Sequence, residues 1–235
     1  MTELLGLTQR PVAVGFFAEP PTGLHRWAGG RVAAGCQFWR HVQAGHAFYT
    51  VLTDHLNCTV GCEVLGWALP EPRRLELERT ADFMARRRYM LPVEVAATPR
   101  LRGSPGCVAY APADDPRFDP DVVLLALAPR QAMVARAAVV RCGAGDAGMP
   151  TVGGPACGVL AEVGNRGRAA LSLGCMGSRT LADLSPDHQY VALLGPVWPR
   201  FAAALPEVVA AHRSVESFYL LRAELFAEGC ACCPR

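Results

Sequence analysis

The sequence predicts an α/β fold made of two pseudo-duplicated strand-helix-strand halves packed as one domain. Three observations predict it. Short apolar strand-like runs alternate with helix-like runs along the 235 residues. A pattern of cysteine, helix, strand and second cysteine occurs twice, about 120 residues apart. Hydrophobic residues make up 51% of the chain and the mean hydropathy is +0.18, which supports a sizeable core and excludes a disordered protein.

The first half opens with a strand over 12–17, apolar and bounded by Pro11 and by Glu19-Pro20-Pro21. Residues 22–35 are turn-rich and read as loop. Gly35-Cys36 then leads a helix over 36–44, because Phe38, Trp39 and Val42 recur at helical spacing, and Gly45 ends it. Residues 48–52 read as a strand, and Cys58 closes the segment. Helices are expected over 61–69, stopped by Pro70, and over 73–90, the longest helical stretch. Residues 91–120 hold six prolines and form the join between halves, with short strands over 95–101 and 107–111.

The second half repeats the order. A strand over 121–127 and a helix over 130–142 precede a glycine-rich loop, 143–154. Pro155-Ala156-Cys157 leads a helix over 158–163, a Gly164-Asn165-Arg166-Gly167 turn ends it, and a strand over 169–173 runs into Cys175. A strand over 187–194 follows, then one or two helices over 196–213 and 215–227. The expected organisation is a single domain, 1–228, with halves at about 11–90 and 121–195, and a flexible cysteine-rich tail, 229–235.

With 23 basic and 21 acidic residues the net charge is +2, and no polyanionic partner is called for. The Arg86-Arg87-Arg88 run reads as a solvated helix end rather than a nucleic-acid contact. No apolar run approaches the roughly 18 residues of a membrane span, and residues 1–10 lack the pattern of a secretory signal. A cytoplasmic protein is expected, with a small-molecule substrate and a homodimer as the oligomeric alternative to a monomer. The preference for alanine and arginine over isoleucine and lysine suggests a GC-rich bacterial genome.

In a reducing compartment ten cysteines point to metal ligands or catalytic thiols, not to disulfides. Cys107 and Cys142 read as small buried hydrophobes. Cys36 and Cys157 sit at first helical turns, where unpaired N–H groups and the helix dipole favour thiolate. Cys58 and Cys175 follow strands and are flanked by Gly61, Gly174 and Gly177, so backbone amides can approach sulfur.

Gly35-Cys36-Gln37, Cys58-Thr59-Val60-Gly61, Ala156-Cys157 and Ser172-Leu173-Gly174-Cys175-Met176-Gly177-Ser178-Arg179 together resemble the cysteine motifs of the domain of unknown function 169 family (DUF169). The likeness runs over about residues 11–196, and the Ser-Leu-Gly-Cys-x-Gly-x-Arg block is its most specific part. It implies a prokaryotic, soluble, cysteine-liganded protein and no particular activity. Cys62 and the Cys230-Ala231-Cys232-Cys233 tail are additions to that pattern and leave the number of ligands open.

The expected centre is an iron–sulfur cluster, [4Fe–4S], held by Cys36, Cys58, Cys157 and Cys175, with Cys62 as a further candidate ligand. An open iron would act on a small substrate by elimination, desulfuration or redox chemistry, as a lyase or oxidoreductase. Zinc fits less well, because it usually shows two tight pairs such as C-x2-C, and the widely spaced single cysteines do not match that signal. Cys58-x3-Cys62 lacks the third cysteine of a radical SAM motif, since Leu65 stands there, and no dinucleotide, P-loop or nucleophile-elbow motif appears. Arg179 would bring positive charge to the cluster or an anionic substrate, or else form an ordinary salt bridge. His55 would serve as general base or extra ligand, against the plainer role of a satisfied core histidine. Trp39, Phe48, Tyr49 and Trp67 would wall a pocket or simply fill the core. The alternatives are a non-catalytic thiol-rich protein that binds or senses a soft metal, using the terminal cysteines, and an accessory protein whose cysteines are structural.

Overall fold

The structure, a computed structural model, describes residues 2–144 and 148–227. The fold is mixed α/β. Its seven-stranded sheet is built from β1 (Val12–Phe17), β2 (Phe48–Thr50), β3 (Cys107–Pro112), β4 (Val122–Leu127), β5 (Thr151–Val152), β6 (Ala170–Ser172) and β7 (Gln189–Leu194), in the order β2-β3-β1-β4-β7-β6-β5. All neighbours are antiparallel except the β5–β6 pair. The β1–β4 pairing at the middle sets Val12 opposite Leu124 and Val14 opposite Val122.

Both faces of the sheet are covered, which is why β3 and β4 read as continuous apolar runs. The two-residue period of a strand divides β4 between two cores. Val122, Leu124 and Ala126 face one core, with α2 (Gln37–Gln43) and α8 (Gly158–Arg166) packed over it. Leu125 and Leu127 face the other, against α1 (Thr2–Leu5), α7 (Pro129–Arg141) and α10 (Trp198–Ala227). The remaining helices, α3 (Leu52–His55), α4 (Thr59–Val64), α5 (Glu71–Arg86), α6 (Pro92–Ala96) and α9 (Met176–Leu181), are connections on the side of α2 and α8.

Several elements differ from the sequence expectation for identifiable reasons. Residues 95–101 form no strand; α6 occupies 92–96, started by Pro92 and by the Glu94 carboxylate accepting the Leu91 N–H. The strand after α2 stops at Thr50, and α3 intervenes before Cys58, capped by Asp54 accepting the Val51 N–H. The Gly164-Asn165-Arg166 stretch continues α8 instead of breaking it. Gly164 is a packing glycine, where an added Cβ would lie 3.1 Å from Leu101, and Asn165 bonds the backbone of Arg100 and Arg102. Helix α8 ends at Gly167, which takes the left-handed conformation (φ 67°). The strand expected over 107–111 is present as β3, so the proline-rich stretch expected to be the join contributes a strand to the sheet.

The arginine triplet closes α5. Arg86 pairs with Asp82, Arg87 lies over the Phe83 ring, and Arg88 adopts a left-handed conformation (φ 56°). No helix among the described residues is long and apolar enough to cross a membrane. The tail with Cys230, Cys232 and Cys233 lies outside the described residues.

Gly195, directly after β7, donates its N–H to the Asp121 carbonyl at 2.8 Å and joins the end of β7 to the start of β4. A Cβ there would meet the Pro120 carbonyl oxygen well inside contact distance. Gly195→Ala is expected to cost about 3 kcal/mol of folding stability, read as a lowered urea midpoint with an unchanged denaturant slope.

Candidate functional site

Each of the four expected cysteines stands immediately before a helix: Cys36 before α2, Cys58 before α4, Cys157 before α8 and Cys175 before α9. All four line one cavity of about 660 Å³. Two chain segments about 120 residues apart therefore meet at a single site. Cys62 is not part of the lining. It lies one turn into α4, fully buried in the core, with its thiol donating to the His55 carbonyl at 3.3 Å. Cys107 and Cys142 also lie away from the cavity; Cys107 starts β3 and the Cys142 thiol donates to the Val139 carbonyl.

Backbone amides approach these sulfurs. The Gly35 and Gly61 N–H groups both hydrogen-bond Cys58, and the Ser178 N–H donates to the Cys175 sulfur at 3.4 Å. Gly61 is required for this approach, since a Cβ there would lie 2.9 Å from the Cys58 sulfur. The Cys175 turn is doubly fixed. Its N–H donates to the Ser178 hydroxyl at 2.9 Å, and that hydroxyl donates to the Cys175 carbonyl at 2.8 Å.

The expected thiolate character of Cys36 and Cys157 is reversed. Burial, then the proximity of Cys175 and Cys58, pushes the Cys36 thiol up to about 12. Burial, then Cys58, Cys175 and Cys36, pushes Cys157 well above the usual range. Burial also raises Cys58, against the lowering effect of its two amide donors. Helix position favours the anion, but removal from water and neighbouring sulfur outweigh it here. Among the described residues, no group of three or more His, Cys, Asp and Glu side chains is arranged to hold a metal ion.

Arg179 is committed to the backbone rather than to the cavity. Its guanidinium donates to the carbonyls of Ser185 (2.6 Å), Leu173 (2.6 Å) and His188 (3.2 Å). In place of the charge expected for a substrate, or of a salt bridge, it clamps the chain on both sides of Cys175. His55 is 1% exposed, and its Nε2 lies 2.8 Å from the Thr50 hydroxyl. That hydroxyl also reaches the Val108 carbonyl at 3.3 Å, and its bond with Nε2 serves either ring tautomer. Nδ1 is buried and has no partner. It faces Gly35, where a Cβ would lie 3.3 Å away. Burial lowers His55 to about 3, which suits a hydrogen-bond acceptor better than a general base near neutral pH.

Trp39, Phe48 and Trp67 belong to the core beneath the site, and Tyr49 is half-buried; none of the four lines the cavity. Two tyrosines were not anticipated. Tyr110 of β3 and Tyr190 of β7 are buried close to the sulfurs: burial raises both phenols, Cys157, Cys58 and Cys36 add to it at Tyr110, and Cys36 and Cys175 at Tyr190. A tyrosine inside an otherwise apolar buried strand was the available signal.

Fold and site together define a mixed α/β protein that gathers four thiols from two distant segments into one cavity. The family model for DUF169, described as "Uncharacterised ArCR, COG2043", matches residues 1–195, and the chain belongs to that family. No curated protein and no solved structure matches it significantly.

Two outcomes follow from this geometry. The folded state holds His55 neutral down to about pH 3, whereas the unfolded chain protonates it near 6.5. The associated stability is complete above pH 6.5 and falls on acidification, by up to about 1.4 kcal/mol per pH unit. Urea titrations between pH 6.5 and 5 should show that slope, and His55→Gln should flatten it. Arg179→Met should lose about 2 kcal/mol and speed alkylation of Cys175, read by mass spectrometry of the labelled peptide.

Proposed function

We propose that Cys36, Cys58, Cys157 and Cys175 hold an iron–sulfur cluster, and that the protein uses it on a small molecule in the reducing cytoplasm of a bacterium. The observation that carries this reading is that the four thiols line one cavity. The donor set supports it, being all sulfur. So do the amide donors on Cys58 and Cys175, since hydrogen bonds to sulfur stabilise an anionic cluster and tune its potential. His55 Nδ1, buried and unpartnered beside Gly35, is open to a hydrogen bond with a group in the occupied site.

A bound cluster supplies electron transfer or Lewis acidity. The chain's own residues set the conditions for it. Burial keeps Cys36, Cys58 and Cys157 protonated at neutral pH, so loading must release their protons and becomes more favourable as pH rises. Arg179 acts as a positioning residue for Cys175 through three carbonyls. We further read the two cysteine-bearing halves as copies of one unit. In support, each half sets its first strand at the centre (β1, β4), its last beside it (β3, β7), and the strand between its cysteines further out (β2, β6).

Anaerobic reconstitution with iron and sulfide should yield a brown protein with about four irons and four sulfides per chain. Serine replacement at Cys36, Cys58, Cys157 or Cys175 should strip or sharply reduce that iron. Cys62→Ser should keep it, losing only packing stability. A colourless wild-type protein with little iron after reconstitution would remove the reading.

A further inference from the structure

The cavity is much larger than its four sulfurs need, and one wall of it is a helix whose packing against α4 and α6 leaves every one of its residues at least partly exposed. Helix α5 has sixteen residues, and none is buried. Its Glu76, Leu77, Thr80, Ala81 and Met84 recur at helical spacing, are half-buried, and line the cavity. An amphipathic helix of a folded protein ordinarily buries such a stripe against the core. This one faces open volume, with the cysteines across from it. The end of the α5 segment is tied to the cysteine side, because the Met176 N–H donates to the Tyr89 hydroxyl at 3.2 Å.

The walls state what kind of molecule fits. Leu77, Ala81, Met84, Met90 and Val95 give apolar surface. Every ionised side chain on the lining is neutralised by a neighbour: Arg74 by Glu78 (2.5 Å), Arg100 by Glu63 (2.8 Å) and Glu76 by Arg73 (2.5 Å). The lining therefore offers no unpaired charge to an ionic ligand, and a charged one would have to break an existing pair. The volume, about 660 Å³, falls within the roughly 300–1,000 Å³ of small-molecule sites.

We propose that an uncharged, largely apolar organic molecule binds between α5 and the four sulfurs, and that this is the class of substrate presented to the cysteine centre. The second clause rests on the iron–sulfur reading; the binding itself does not. Polar recognition comes from Thr80 and Thr98 on the lining, whose hydroxyls donate to the Glu76 and Glu94 carbonyls and can accept a hydrogen bond from such a molecule without adding charge.

The test uses a matched pair of fluorophores on the full chain, with and without anaerobic reconstitution. One is uncharged N-phenyl-1-naphthylamine, and the other is its sulfonated counterpart, 8-anilinonaphthalene-1-sulfonate. The uncharged probe should bind at one saturable site, about tenfold or more tighter than the anion. Ala81→Trp, which fills the cavity from α5, should weaken it about tenfold or more, and Thr98→Trp should do the same from the facing wall. Circular dichroism confirms that each variant is folded. Phe218→Ser, on the exposed apolar stretch of α10, should change nothing. Equal affinity for the two probes, indifference to both tryptophans, or loss of binding in Phe218→Ser would overturn the proposal. Iron and sulfide assays on the same samples separate the two readings. Probe binding of the expected pattern in a protein that takes up no iron leaves the cavity assignment standing without the cluster, and iron uptake with no such binding does the reverse.

Discussion

Because β1 lies beside β4 at the middle of the sheet, α2, which follows β1, and α8, which comes after β4, α7 and β5, pack over the same face, and the cysteines that lead them open into one cavity. Everything at the cysteine site depends on that one pairing. If β1 and β4 stood at opposite edges, Cys36 and Cys157 would lie a sheet's width apart and no cavity could contain both. The pairing is held by side chains with no chemistry of their own: Val12, Val14, Val122 and Leu124 are all buried in the core beneath α2 and α8. The aliphatic interior and the thiol site are one construction.

The sulfurs illustrate how burial and position compete. At the start of a helix a cysteine meets amide donors, and in water that would favour the anion. Inside this cavity the same residues are removed from solvent and set near one another, and the neutral thiol wins. Near neutral pH the thiols of such a site stay protonated, although amides that favour the anion are already in place. The amide contacts to Cys58 and Cys175 and the burial of Cys36 and Cys157 thus serve opposite states of one site.

Much of this was legible in the sequence because the signals were local. Val12–Phe17, Val122–Leu127 and the helices led by Cys36 and Cys157 follow from apolar periodicity and glycine punctuation, and they stand where expected. The repeated cysteine spacing marked the four residues that line the cavity. What failed had a tertiary origin. Gly164 looked like a break and is a packing contact with Leu101; residues 95–101 looked like a strand and instead hold the end of α6 and the chain beyond it, whereas the strand expected over 107–111 is present as β3. Arg179 carried a motif's charge, yet its bonding to three carbonyls depends on a loop path that no spacing rule encodes. Tyr110 and Tyr190 became visible only once strand direction fixed which face each ring occupies.

The order of the strands also bears on how the chain is made. Cys58 and Cys157 are separated by about a hundred residues, and the sheet cannot close until β7 has left the ribosome. During that interval the first two cysteines form only half a site, without the shelter the second half provides. The enclosure of either pair of thiols therefore waits on the later segment of the chain.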